Sequence, residues 1–498
     1  MSLRRFVSAA ATYALAALVP FVLTAGCPNL IPDGNGNAND NANVNDNGST
    51  NDNENTNENE NDNSDAKGDS GLTGRFAGST RCLLCHANQH EDWSGTLHAT
   101  ALETLEEIGQ GTNAECIGCH TVGFGEEGGF VDRATTNSLA GVGCEACHGP
   151  AADHANNVND ASLRPPVDLS ASICSECHQG SFHPNGEDWA MSAHAEVRED
   201  LVERFAAGSS LNSCGACHSG DFFYRASILG ETDIPDDLLA GLTAEEMTPI
   251  TCAICHDPHQ QTGNAVTPED GRDYQLRFPE VAYPTPTNTI EAATDPSRFN
   301  LCGQCHHSRD RVWTDSSREP HPSDQVNVFF GEMPLPDSDP TPIVPTRASV
   351  HLNTGDQCAT CHVVRAEAIP GELPAVSGHT FAVNYDGCVE CHGSAEVAQA
   401  LATALELELE FRAERVLEAL DAWTDDPARG NGTFWEYTSE GGPDSDGQAT
   451  IPDEIKKARY LYYYVVQGGG NGVHNPDYVR EALMLAEEYA DSAGALLP

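Results

Sequence analysis

Apolar positions along this chain fall into four regimes. Phe6 to Thr24 is an apolar run behind the basic pair Arg4-Arg5. From Asn29 to Ser70 apolar residues almost vanish among Asn, Asp, Glu and Gly. A stretch of that composition buries no core and is expected to be disordered. From Gly74 to Gly393 apolar residues are scattered among frequent Pro, Gly and Asn, and no helical period is sustained. Short helices joined by loops are the expectation there. After Gly393, Val397, Leu401, Leu405, Leu409, Val416, Leu420 and Trp423 recur at three-to-four spacing. That period predicts one long amphipathic helix. A Gly/Asp/Pro loop across 424–450 and two further helices, near 453–467 and 476–492, complete the pattern. Asp444-Ser445-Asp446-Gly447 resembles the start of a calcium loop but lacks the third acidic position and the spaced glutamate, so it reads as a solvated turn. The fold class is therefore mostly α with extensive loops: short helices first, long helices at the C-terminal end.

Cysteine usage changes the picture of the third regime. Eighteen of the 19 cysteines form nine Cys-x-x-Cys pairs, and histidine directly follows every pair. The units are Cys82/Cys85/His86, Cys116/Cys119/His120, Cys144/Cys147/His148, Cys174/Cys177/His178 and Cys214/Cys217/His218. Cys252/Cys255/His256, Cys302/Cys305/His306, Cys358/Cys361/His362 and Cys388/Cys391/His392 complete the set. Two thiols one helical turn apart reach the two vinyl groups of one porphyrin, and the adjacent histidine lies under the iron as proximal ligand. A zinc site does not require histidine after every pair, and thioredoxin-like pairs occur singly. Nine c-type haems are the expectation. Porphyrin then supplies much of the core that 39% hydrophobic residues do not.

The second axial ligand decides the chemistry, because a second histidine suits electron transfer and an open position binds small molecules. Eleven histidines lie outside the motifs: 90, 98, 154, 183, 194, 259, 307, 321, 351, 379 and 474. His98 and His194 share a context, Glu91-Asp92-Trp93 before one and Glu187-Asp188-Trp189 before the other. Each copy follows one motif and precedes another, which suggests a duplicated two-haem unit. These two are the leading distal candidates, followed by His154, His259, His321, His351, His379 and His474. His259 is too close to His256 to cap the same haem, so it would serve a neighbour. His183 is undecided. His90 and His307 sit beside proximal histidines and read as structural or surface residues. The cluster Tyr460, Tyr462, Tyr463 and Tyr464 reads as packing.

The remaining cysteine, Cys27, ends Leu23-Thr24-Ala25-Gly26-Cys27, which resembles a bacterial lipoprotein cleavage and lipidation site. Thr24 stands where leucine is usual. An ordinary signal peptide or an uncleaved anchor are the alternatives, and all three export the chain. The polar stretch after it would be a tether of roughly 35 Å. The net charge is −51, from 25 basic and 76 acidic residues. It argues against nucleic acid, whose phosphates it repels. It suits cationic redox partners or metal ions, and adaptation to a salty medium explains it equally well.

At the first three motifs the chain resembles the cytochrome c-554 family, tetrahaem acceptors of electrons from hydroxylamine oxidoreductase. The likeness runs through Trp93 and His98-Ala99, then Cys116-Ile117-Gly118-Cys119-His120 with Gly123-Phe124-Gly125 and Gly128-Gly129-Phe130. It continues from Gly141-Val142-Gly143-Cys144-Glu145 to His148-Gly149-Pro150 and His154. Beyond 160 it loosens to a wider group that includes hydroxylamine oxidoreductase, pentahaem nitrite reductase and octahaem tetrathionate reductase. The resemblance implies close, partly stacked haems on a mostly helical scaffold. It also implies a five-coordinate haem at the second motif, which makes His120 the first candidate for an open catalytic site. The nine motifs and the acidic balance depart from the family.

The expected layout is a lipoprotein-type leader at 1–27, a tether at 28–72, a three-haem module at 73–160, a six-haem region at 161–394 and a helical region at 395–498. The expected function is exported electron transfer through mostly bis-histidine haems, at the periplasm or cell surface on a lipid anchor, with redox proteins as partners. Two alternatives stand beside it: a multihaem oxidoreductase acting on small nitrogen or sulfur compounds at one open haem, and extracellular metal or mineral redox. Enzymes of the wider group often carry lysine for a motif histidine, a signature that nine intact motifs lack.

Overall fold

The computed structural model describes residues 74–263, 271–277, 300–309, 311–354, 356–369, 373–425, 434–468 and 472–495. The leader, Cys27 and the polar tether lie outside the described residues. The described chain is helical, with isolated bridges such as Thr121–Ala140 and Ala366–Val376 and no named strand.

Each motif overlaps a short helix, and the helices Cys144–His148, Leu211–His218 and Cys358–His362 contain a whole motif. The segments run Ser79–Cys82, Ala114–Ile117, Cys144–His148, Ala171–Ser175, Leu211–His218, Cys252–Cys255, Asn300–Gly303, Cys358–His362 and Val389–His392. Loops between them are held by side-chain capping of backbone N–H groups, as where Asn113 accepts from Glu115 N at 3.1 Å.

The glycines of the first module have a steric reason. Gly141 has φ +78°, and a Cβ there would meet Ala99 O at 2.4 Å. That close approach lets Val142 N donate to His98 O at 2.8 Å. Gly129 packs so tightly on Gly123 O that a Cβ would overlap it at 1.8 Å. Glu145, 5% exposed, accepts from the backbone N of Ala77, Gly78 and Ala151, tying the first motif to the third.

The C-terminal region holds the largest apolar core. The long helix is Ala395–Thr424, started by Ser394, whose Oγ accepts from Val397 N at 3.3 Å. It buries Leu405, Leu409, Val416, Leu420 and Trp423. Val397 and Leu401, which the period assigns to the same face, remain 48% and 53% exposed. Their two turns run past the bundle beside the ninth motif, so only the C-terminal part of the stripe meets partner helices.

Those partners are the helices Asp453–Tyr463 and Pro476–Ala495, close to the sequence expectation. Asn475 caps the second and Pro476 occupies its first position, where a missing N–H costs nothing. Tyr460, Tyr462, Tyr463 and Tyr464 are all buried in this core. The turn at 444–447 starts a one-turn helix, Ser445–Gln448, with Asp444 Oδ1 accepting from Gly447 N at 3.0 Å.

Candidate haem-binding centre

Histidines that are remote in sequence meet in pairs. Eight of the nine motif histidines each stand 6.0–6.5 Å, centre to centre, from a histidine outside the motifs. The first four are His120–His183 at 6.5 Å, His148–His259 at 6.1 Å, His178–His98 at 6.0 Å and His218–His321 at 6.2 Å. The others are His256–His379 at 6.2 Å, His306–His194 at 6.1 Å, His362–His474 at 6.2 Å and His392–His351 at 6.4 Å.

The same separation recurs between His178 and His183, at 6.2 Å, so His183 stands beside two motif histidines. A metal held between two imidazoles by bonds of about 2 Å on each side places the ring centres about 6 Å apart.

Ring orientation agrees. His120 Nδ1 donates to Ala101 O at 2.7 Å, His148 Nδ1 to Pro166 O at 2.9 Å and His256 Nδ1 to Tyr274 O at 2.7 Å. His362 Nδ1 donates to Phe381 O at 2.8 Å, His351 Nδ1 to Val473 O at 3.0 Å and His379 Nδ1 to Ser377 O at 3.0 Å. A carbonyl only accepts, so the proton sits on Nδ1 and the Nε2 lone pair is left for a metal. Burial pushes His178, His194, His256 and His321 down to about 4, which keeps these rings neutral at physiological pH. Neutral imidazole is the form that ligates.

The motifs are also close to one another. Cysteine side chains meet between the first and third motifs (Cys82, Cys144) and between the second and fourth (Cys119, Cys177). They meet again between the fourth and sixth (Cys174, Cys252), the fifth and seventh (Cys217, Cys305), the seventh and eighth (Cys302, Cys358) and the eighth and ninth (Cys361, Cys388). The donor set fits c-type haem: each cysteine pair would carry the thioethers, and at eight motifs the motif histidine and its facing histidine would hold the iron from two sides.

Cys85, Cys147 and Cys391 are exposed, whereas the other described motif cysteines are at least partly covered by protein. Cys391 has the clearest reason. Its helix, Val389–His392, ends at Gly393 with φ +81°, where the chain turns into the uncovered first turns of the long helix. A thioether needs reach to a porphyrin edge and not burial by side chains.

Seven of the eight distal candidates named from sequence, His98, His194, His259, His321, His351, His379 and His474, face a motif histidine. The eighth, His154, makes no ring contact with a motif histidine among the described residues, and its Nδ1 is buried without a hydrogen-bond partner. Its segment is tied to the first motif, since Arg81 donates to Asn156 Oδ1 at 2.7 Å and to Ala155 O at 3.4 Å. His183 joins the set, with its ring 6.5 Å from His120 and 6.2 Å from His178, just ahead of Glu187-Asp188-Trp189. His86 is exposed. His90 packs against Trp93 at 5.4 Å, and His307 Nδ1 accepts from Arg309 N at 3.1 Å.

Comparison with known proteins agrees with these features. Residues 81–149 match the family model described as Cytochrome c554 and c-prime. The chain is 28% identical over 158 residues to cytochrome c-554 of Nitrosomonas europaea, which covers 29% of this chain and 57% of that protein. It is 27% identical over 165 residues to the multiheme cytochrome MtrA of Shewanella baltica, covering 29% and 45%. It is 25% identical over 209 residues to the C-type polyheme cytochrome OmcB of Geobacter sulfurreducens, covering 39% and 25%. The chain thus spans between a quarter and somewhat over half the length of these relatives. Among solved structures, the outer cell wall cytochrome OcwA aligns over 84% of this chain and 100% of its own, with a TM-score of 0.53 and 17% identity, a likeness of fold.

Proposed function

We propose that this chain, a multihaem c-type cytochrome, is an exported electron-transfer protein with nine haems held mostly between two histidines. The observation that carries this reading is the set of eight histidine pairs at 6.0–6.5 Å. Bound haem supplies reversible one-electron storage at each of these positions. The chain's own residues do the rest. Carbonyl anchors on Nδ1 orient six of the rings, two histidines at each of eight sites leave no position for substrate there, and cysteine contacts between motifs keep neighbouring centres close.

The apolar run followed by Cys27 supports export and a lipid anchor, and the polar tether supports a site held off a membrane surface. The net charge of −51 supports cationic faces on the redox partners.

A second reading, a reductase or oxidase of small nitrogen or sulfur compounds, rests on His86. It is exposed, and no other histidine ring meets it among the described residues. Metal or mineral redox at the cell surface is favoured by the charge alone.

The test is haem quantitation and EPR on the purified holoprotein. Electron transfer predicts nine haems per chain and low-spin ferric signals that nitrite, hydroxylamine and nitric oxide leave unchanged. A haem count far below nine would overturn the assignment. A high-spin signal that shifts with these ligands would favour the enzyme.

A further inference from the structure

We infer that axial ligation runs on a repeat of three motifs, with histidines exchanged between consecutive units, so that His194 is the second axial ligand of the haem held by His306. The inference rests on the multihaem reading above and concerns which residue serves which site.

Two tryptophans reveal the period. Trp93 Nε1 donates to Val142 O at 3.0 Å, and the third motif opens two residues later at Cys144. Trp189 Nε1 donates to Ile250 O at 3.0 Å, and the sixth motif opens two residues later at Cys252. Equivalent indoles therefore clamp equivalent carbonyls three motifs apart. A unit of two motifs, which the sequence repeat alone suggests, does not reproduce this.

The histidines obey the same shift. His98 follows the first motif and faces His178 of the fourth, with rings 6.0 Å apart and inclined at 67°. His194 follows the fourth motif and faces His306 of the seventh, at 6.1 Å and 75°. His183 follows the fourth motif and stands between His120 of the second, at 6.5 Å and 45°, and its own motif's His178, at 6.2 Å and 71°; His178 already faces His98, which leaves His120 as its partner. His321 follows the seventh motif and faces His218 of the fifth, at 6.2 Å and 49°. Cysteine contacts repeat too: first with third and second with fourth become fourth with sixth and fifth with seventh. The correspondence ends at the sixth motif, where His256 faces His379 from between the eighth and ninth motifs rather than from beyond the ninth. The helical C-terminal region takes over at that point.

The arrangement has a steric logic. A histidine only a few residues beyond its own motif, as His183 and His259 are, cannot pass round the porphyrin edge to the opposite face. Lending it to another unit satisfies both, and it locks the units together through metal–ligand bonds rather than through the thin apolar cores available between motifs.

The test uses the full-length holoprotein and EPR integration of high-spin ferric haem. His194→Ala is expected to convert one haem to high spin. Combining it with His306→Ala should still affect one haem, because both ligands serve the same iron. Combining it with His178→Ala should affect two. The opposite result, two with His306→Ala and one with His178→Ala, would make His194 a ligand of its own unit and overturn the exchange. So would a His194→Ala protein of full haem content with no high-spin signal. If the double variants fail to accumulate, Cys302→Ser with Cys305→Ser deletes the seventh haem instead. The His194→Ala signal should then vanish, and its persistence sinks the assignment. Haem content of the parent is measured first, so a parent with far fewer than nine haems fails the functional reading and not the pairing.

Discussion

The imidazole of His183 lies 6.5 Å from that of His120, with the ring planes at 45°. His120 is fixed through Nδ1 to Ala101 O, and burial lowers the pKa of His183, with the His120 ring adding to the effect. The resemblance to the cytochrome c-554 family points to an open position at this second motif, yet here a neutral imidazole stands across from the motif histidine. Replacing it should recreate the open position. His183→Ala is expected to give one high-spin ferric haem by EPR and to bind nitric oxide at a site that the parent protein does not offer. An unchanged spectrum would remove His183 from the ligand set.

The paired tryptophans should behave alike. Trp93→Phe removes the donor to Val142 O, and Trp189→Phe removes the donor to Ile250 O. Each change leaves a carbonyl unpaired beside a motif, at a cost of about 1–3 kcal/mol. Thermal melts followed by far-UV circular dichroism should show losses of similar size in the two variants. A loss in only one of them would mean that the second copy has kept the sequence without the role.

How much of this was legible in the sequence depends on distance along the chain. Cysteine attachment and proximal ligation are local: Cys82, Cys85 and His86 stand together, and spacing alone identifies them. The long helix is local too, although its period extends to Val397 and Leu401, where no partner helix remains to cover them. Pairing is not local. Nothing beside His98 says that it faces His178, and His183 precedes Glu187-Asp188-Trp189 at a spacing that no histidine of the first copy repeats. Such contacts are set by how the short helices pack. The repeated Trp-His segments were visible, but the length of the unit appeared only when Trp93 and Trp189 were seen bonded to Val142 and Ile250.

Arg459 shows the same limit outside the haem centre. It is 0% exposed on a helix whose sequence reads as amphipathic. Its Nη1 donates to Trp435 O at 2.9 Å, Glu436 O at 3.2 Å and Gln448 Oε1 at 2.8 Å, and its Nη2 donates to Asp315 O at 3.3 Å. The guanidinium also lies 4.1 Å from the Tyr437 ring centre. Burial lowers its pKa, with Tyr437 acting against that. All these partners come from other segments, so one side chain ties the seventh-motif loop to the C-terminal helices. Arg459→Ala leaves several carbonyls unpaired and is expected to cost about 3–5 kcal/mol. Chemical denaturation should show the loss, and Arg459→Lys should recover only part of it because lysine lacks the planar fork. Full stability in the alanine variant would show that the network contributes nothing net.

Asp324 makes stability depend on pH. It is 0% exposed, and neither carboxylate oxygen has a hydrogen-bond partner. It precedes the helix Gln325–Phe330 without capping it through its side chain. Burial raises its pKa well above the ordinary value, against a small opposing contribution from its backbone amide. Its electrostatic neighbours include the buried phenols Tyr460, Tyr464 and Tyr478, none of which carries a compensating positive charge. In the native protein the carboxyl therefore stays protonated at pH values where the unfolded chain, with an aspartate pKa of about 3.9, has released the proton. The native state binds more protons across that window, so stability is fullest below the unfolded value. It falls as pH rises towards the native pKa, by about 1.4 kcal/mol per pH unit. Asp324→Asn keeps the shape and removes the ionisation. The variant should melt close to the parent at pH 4 and above it at pH 8, with the gap widening between. Parallel curves for the two proteins would show that Asp324 is ionised in the folded state and finds its compensation elsewhere.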